Sequence, residues 1–196
     1  MRIKKTELGF TDNIVIGMFG LIIILDDNGL EVSNTSLVEQ SKHFSLIIIK
    51  GKETMKQKYE ICDFIKKIKK KNEKIKIIIE TDGFLHPVGL NNIDNIEFIV
   101  FPIMKKSNIS LDKRINYKTL NWYSEVGAKF KFYIDSIDEL DEAEMLINGV
   151  GIKKINIYFV SKNNNNLEFI FKSAIDSNCN VALDTEEMFE IEEAKE

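Results

Sequence analysis

Two short segments carry acids, a lysine and glycines at the point where an apolar run gives way to polar residues. The first is Ile48-Ile49-Lys50-Gly51-Lys52-Glu53-Thr54; the second is Ile78-Ile79-Glu80-Thr81-Asp82-Gly83-Phe84. A carboxylate at the end of an apolar strand can hold a ligand ammonium or hydroxyl, and Glu53 is the first residue placed to do so. Glu53 equally fits the first turn of a helix, where the dipole favours a negative charge. Lys52 beside it adds bulk and positive charge, which either blocks a ligand or draws an anionic one. Thr81, Asp82 and Gly83 read as a strand-to-loop turn or as ligand contacts, with Gly83 supplying an unusual backbone angle. The candidate ligand-binding set is therefore Gly51, Lys52, Glu53, Thr81, Asp82 and Gly83.

Other reactive residue types lack companions. Asp26 and Asp27 precede Asn28-Gly29, a hairpin-turn signal. As oxygen donors they could recruit Mg²⁺, but no third ligand is identifiable. His43 and His86 sit in no metal-spaced cluster, so no metal site is expected. His86-Pro87 either lines the pocket or forms a surface loop. Trp122 and Tyr123 fall in a helical pattern and read as packing residues. No Gly-rich phosphate loop, nucleophile elbow or nucleophile–base pair is present, so the catalytic residues stay unknown.

The elements that would position these residues alternate along the chain. Leu46–Ile49, Ile75–Glu80, Ile96–Pro102, Lys129–Ile134, Lys154–Val160 and Asn180–Leu183 read as buried strands, several rich in β-branched residues. Helices are predicted over Thr54–Lys71, over Leu111–Val126 with Ser110 as N-cap and Gly127 as stop, and over Leu167–Ser177. Ser136 to Glu139 is a capping box opening a helix to Asn148, with Gly149 as its stop. A short loop-helix is expected around Pro87–Asn92, and a loop at Asn163–Asn166. Continuous apolar strands alternating with helices predict a mostly parallel sheet with outer helices. Roughly six or seven βα repeats suit an incomplete (β/α) barrel, with a doubly wound sheet as the alternative. Either way, ligands belong at the carboxyl ends of the strands, where Gly51–Thr54 and Thr81–Phe84 fall.

At 196 residues with 44% hydrophobic content, the chain can bury a real core, which excludes global disorder. The expected organisation is one α/β domain over residues 1–183 and an acidic tail over 184–196. That tail holds seven acids and one lysine, so the net charge of −4 is concentrated there. A frayed helix packing through Met188, Phe189 and Ile191 is one expectation for it. The basic run Lys66-Lys67, Lys69-Lys70-Lys71 suits the C-terminal turn of a helix; without interleaved aromatics or a basic pI it argues against a nucleic-acid partner. The longest apolar stretch, Ile14–Leu25, is interrupted by Gly17 and Gly20 and is too short to span a bilayer. No secretory signal is evident, and two cysteines without an obvious pairing suit a reducing cytoplasm.

From about Leu46 to Ile147 the chain resembles the radical S-adenosylmethionine (SAM) core of 7-carboxy-7-deazaguanine synthase and glycyl-radical activating enzymes. Gly51-Lys52-Glu53-Thr54 stands where that family carries Gly-Gly-Glu-Pro, and Glu80-Thr81-Asp82-Gly83 where it carries Glu-Thr-(Asn/Gln)-Gly. Pro102, with Lys105 behind it, keeps part of a Ser-Pro-Lys motif. Lys129–Asp135 followed by Glu139–Ala143 resembles the next strand and acidic helix. The resemblance implies a radical SAM-like fold and a pocket in which Glu53 contacts the methionyl amino group of SAM. The front of the motif set is missing. The family's C-x3-C-x2-C loop would fall near Leu25–Val32, which holds no cysteine, while Cys62 and Cys179 lie far away in sequence. No [4Fe-4S] cluster is expected, because cysteine thiolates hold its irons. The expected function is therefore a cluster-free, non-catalytic protein that binds a small molecule or serves as an accessory subunit, with SAM left open as cofactor. A protein partner or homo-oligomer is also expected. The alternative is a cluster-free enzyme using barrel-end carboxylates with Lys52 or Lys105 for acid–base chemistry.

Overall fold

A computed structural model describes residues 1–10, 19–90, 93–105, 109–161 and 166–183. Residues 14–18 of the apolar stretch, the end of the 87–92 loop, Asn163–Asn165 and the acidic tail 184–196 lie outside the described residues.

The runs of isoleucine form strands because β-branched side chains pack well on a pleated surface. In chain order the elements are β1 (Arg2–Phe10), β2 (Phe19–Leu25), β3 (Leu30–Glu31), α1 (Asn34–Ser41), β4 (Leu46–Gly51) and α2 (Lys58–Lys71). Then come β5 (Lys76–Thr81), β6 (Ile96–Val100), α3 (Leu111–Arg114), α4 (Tyr117–Glu125) and β7 (Lys129–Tyr133). α5 (Ile137–Val150), β8 (Ile157–Ser161), α6 (Leu167–Ser177) and β9 (Asn180–Leu183) complete the series. All nine strands join one sheet in the order β3-β1-β2-β4-β5-β6-β7-β8-β9. β1 pairs antiparallel with β2 and β3; from β2 to β9 every pairing is parallel. The chain is thus a mixed α/β protein built on a mostly parallel sheet, as the alternating pattern predicts.

The helices share one face of the sheet. Their buried residues, among them Leu37, Phe64, Leu120, Leu146 and Ile170, form one core with Ile23, Ile49, Ile79, Phe130 and Phe159 of the strands. The opposite face carries a smaller apolar cluster made only of strand residues: Ile22, Leu46, Ile48, Ile78 and Ile99, with Ile24 against it. Alternation along each strand separates the two sets.

Several local expectations change. Lys154–Asn156, read as the start of a strand, form a 3₁₀ turn, and β8 begins at Ile157. Asp26 to Gly29 is a turn, closed by Gly29 N–H donating to the Asp26 carbonyl (2.9 Å) and Asn28 N–H to Asp26 Oδ1 (2.8 Å). It is not a hairpin: β1 inserts between β2 and β3, a pairing no local signal announces. The predicted helix 111–126 splits, because Asn116 adopts an extended backbone and caps α4 by accepting from Thr119 N–H. α5 runs past Gly149 to Val150 and stops at Gly151.

One buried ionic network holds the segment after β6. Arg114 Nη2 donates to Glu142 Oε1 (2.5 Å), Nη1 to the Ile103 carbonyl (2.9 Å) and Nε to the Ile109 carbonyl (3.0 Å). Glu142 Oε2 also accepts from Lys105 N–H (2.6 Å). Both charged side chains are under one-tenth exposed. Removing one partner strands the other as a buried charge. Arg114→Met is therefore expected to cost about 3–5 kcal/mol in urea denaturation. A loss below about 1 kcal/mol would show that the pair contributes no more than a surface ion pair does.

Candidate functional site

The parallel order brings the loops after β4 and β5 side by side at the carboxyl end of the sheet. A cleft of about 130 Å³ opens there, lined by Glu53, Met55, Lys56, Asp82, Phe84 and Leu85. Met55, Phe84 and Leu85 give it apolar lining, and Glu53 and Asp82, from two different strand ends, bring carboxylates to it.

The chain reaches this geometry through two tight passages. Gly51 ends β4 directly against β2, where a Cβ would lie 2.6 Å from the Leu25 carbonyl oxygen. Thr54 Oγ1 then donates back to the Gly51 carbonyl (3.1 Å), and residues 54–57 form a single 3₁₀ turn rather than the start of a long helix. Gly83 has φ +75°, and a Cβ there would stand 2.6 Å from both Leu120 Cδ2 and Val100 Cγ1. Only glycine meets both constraints.

Glu53 caps no helix N–H with its side chain. Its carboxylate instead accepts from Lys56 Nζ (2.5 Å), and the same ammonium reaches Asp27 Oδ2 (3.3 Å) across the turn after β2. These groups are about half exposed. The two acids hold the Lys56 ammonium above its ordinary value. Asp82 is more enclosed. Its Oδ1 accepts from Phe84 N–H (3.0 Å) and lies 3.5 Å from Thr81 Oγ1. Burial pushes its carboxyl above the usual range, and the charge of Glu53 adds to this.

The structure divides the six sequence-derived candidates. Glu53 and Asp82 meet in the cleft. Gly51 and Gly83 do not line it; they let the chain pass close to Leu25 and to Leu120 and Val100 just before each lining segment. Thr81 is fully buried, and its hydroxyl accepts from Gly83 N–H (3.2 Å), so it braces the turn. Lys52 is exposed and does not line the cleft. Lys105 is exposed as well. Lys131 is the deeply buried lysine: its ammonium stands 3.8 Å from Glu80 Oε1, with side-chain exposures of 3% and 12%. The β5–β6–β7 register places this pair on the face opposite the described helices, beside Ile78 and Ile99. Sequence reading missed Lys56, Met55 and Leu85 as lining residues. The i,i+3 spacing of Glu53 and Lys56 was the available signal.

His86 sits outside this cleft. Its ring lies 4.7 Å from that of Trp122, and burial with nearby Lys58 and Lys118 lowers its pKa. A second cavity of about 250 Å³ lies at the amino end of β6, lined by Glu97, Phe98 and Trp122 among others. Though larger, it is at the end of the sheet where parallel α/β folds carry stability rather than ligands. Glu97 is already engaged there by Lys76 (2.8 Å) and Lys129. Among the described residues, no group of three or more His, Cys, Asp or Glu is arranged to hold a metal ion, and no helix is long and apolar enough to cross a membrane. Compared with known proteins, the chain matches no family model and no curated sequence.

The enclosure of Asp82 has a measurable pH signature. The folded state holds its proton more tightly than the unfolded chain does, so ionising it costs stability. That cost is absent below the ordinary carboxylate range and develops as pH rises through it and through the raised folded value. Asp82→Asn keeps the acceptor for Phe84 N–H and removes the cost. Its melting temperature is expected to equal that of wild type near pH 3 and to exceed it at pH 7. A wild type at least as stable as the variant at pH 7 would contradict this.

Proposed function

We propose that this chain is a non-catalytic, small-molecule-binding protein whose ligand occupies the cleft between the β4 and β5 loops. The observation that carries the reading is the convergence of Glu53 and Asp82, from two separate strand ends, on one cleft with an apolar wall. Parallel α/β folds present ligands at this end. Asp82 braces its own turn through Phe84 N–H, and a carboxyl held above its ordinary range by burial beside a second acid is a pattern found at functional sites. The resemblance of Gly51–Thr54 and Glu80–Gly83 to radical SAM motifs supports an incomplete-barrel ancestry and nominates SAM or a fragment of it. The same ancestry without the cluster cysteines favours an accessory role, alone or beside a protein partner, over radical chemistry.

Thermal-shift titration with SAM, S-adenosylhomocysteine and 5′-deoxyadenosine tests this. A ligand at about 100 times its dissociation constant stabilises by ~2.7 kcal/mol, a rise of roughly 5–10 °C for a chain of this size. The expected result is a rise with at least one of these ligands that Glu53→Ala abolishes. No shift with any of them, nor with methionine methyl ester, would overturn the reading.

A further inference from the structure

We propose that Lys56 is an internal stand-in for an alkylammonium ligand: its own ammonium occupies the carboxylate that such a ligand would use. The inference rests on the reading of the cleft as a ligand site and names the ligand class. Three observations converge. The cleft, at about 130 Å³, has room for a short alkyl chain with a polar head. Its wall, formed by Met55, Phe84 and Leu85, suits methylenes or a thioether, while Glu53 and Asp82 suit a positive head. Lys56, itself an alkylammonium, lines that cleft and donates to Glu53 Oε2 at 2.5 Å.

The contact is weak enough to yield. Lys56 is 45% exposed and Glu53 46%. Exposed ion pairs of this kind contribute little because water solvates the separated partners well. Asp27, 3.3 Å from the same ammonium, gives it a second acceptor to move to when Glu53 is taken. A ligand thus competes with Lys56 for Glu53, and its apparent affinity is reduced by the fraction of molecules in which Lys56 holds the carboxylate. Lys52 and Lys58, its neighbours in sequence, do not line the cleft.

The matched probes are methionine methyl ester and its desamino analogue, followed by NMR through ¹³C-labelled methionine methyls, with Met55 as the reporter inside the cleft. Lys56→Met is expected to bind the ester about two- to fivefold more tightly than wild type, the range set by a surface ion pair. The desamino analogue should show no gain, and Lys67→Met, which breaks the Lys67–Asp63 pair elsewhere on α2, should leave the ester's affinity unchanged. Lys56→Gln repeats the test with a polar side chain should Lys56→Met fold poorly. If the ester binds wild type and both Lys56 variants equally, or if the desamino analogue gains as much as the ester, the inference is overturned while the cleft remains a ligand site. If neither the ester nor any adenosyl ligand binds wild type or variant, the cleft reading and this inference both fall.

Discussion

Two parallel neighbours cannot be joined by a tight turn, and this constraint organises the molecule. Each strand from β4 to β9 must be reached by a crossover, and each crossover here returns to the strand next in order. The helices consequently gather on one face, and the loops leaving the strands gather at one end. Glu53 and Asp82 are 29 positions apart in the chain, yet they share a cleft because β4 and β5 are adjacent and point the same way. Gly51 and Gly83 serve the same arrangement, since a side chain at either would press on Leu25 of β2 or on Val100 of β6 and Leu120 of α4.

Much of this arrangement is legible from residue types alone. Ile47 to Ile49 and Ile77 to Ile79 announce buried strands because an uninterrupted β-branched run fits a sheet with both faces filled. Ser136 and Glu139 announce the start of α5: Ser136 Oγ accepts from Glu139 N–H, and Glu139 Oε2 reaches back to accept from Asp135 N–H, one residue before the cap, and from Ser136 O–H. The placement of Glu53 and Asp82 at strand ends follows from the same periodicity.

What stays hidden depends on partners distant in sequence. Nothing local in Arg2 to Phe10 says that this strand inserts between β2 and β3, because its middle, Lys4-Lys5-Thr6-Glu7, is polar throughout and lacks a strand period; its partners Ile22 and Ile24 lie in another strand. Lys131 reads as a surface lysine in a strand, and only the β5–β6–β7 register reveals Glu80 near it. Arg114 is similar: an arginine in a polar stretch, whose carbonyl partners Ile103 and Ile109 are nearby but whose counter-ion Glu142 lies on another helix. Burial of charge is decided by such long-range meetings, and a spacing pattern cannot show them. Lys56 escaped for a different reason. Its partner Glu53 is local, but whether that pair closes a cleft or decorates a surface depends on where the second loop arrives.

A sheet whose strands follow chain order from β4 to β9 also has a kinetic character. Each strand docks on the one made just before it, so no new pairing from β4 onward closes a loop longer than one crossover, and assembly can run along the chain as it emerges. β1 is the exception. It is the first strand in the sequence but sits between two later ones, so its slot is complete only after the turn at Asp26–Gly29 has carried β3 around it. Gly29, whose Cβ would fall 2.5 Å from the Ile3 backbone, is where that late closure is sealed.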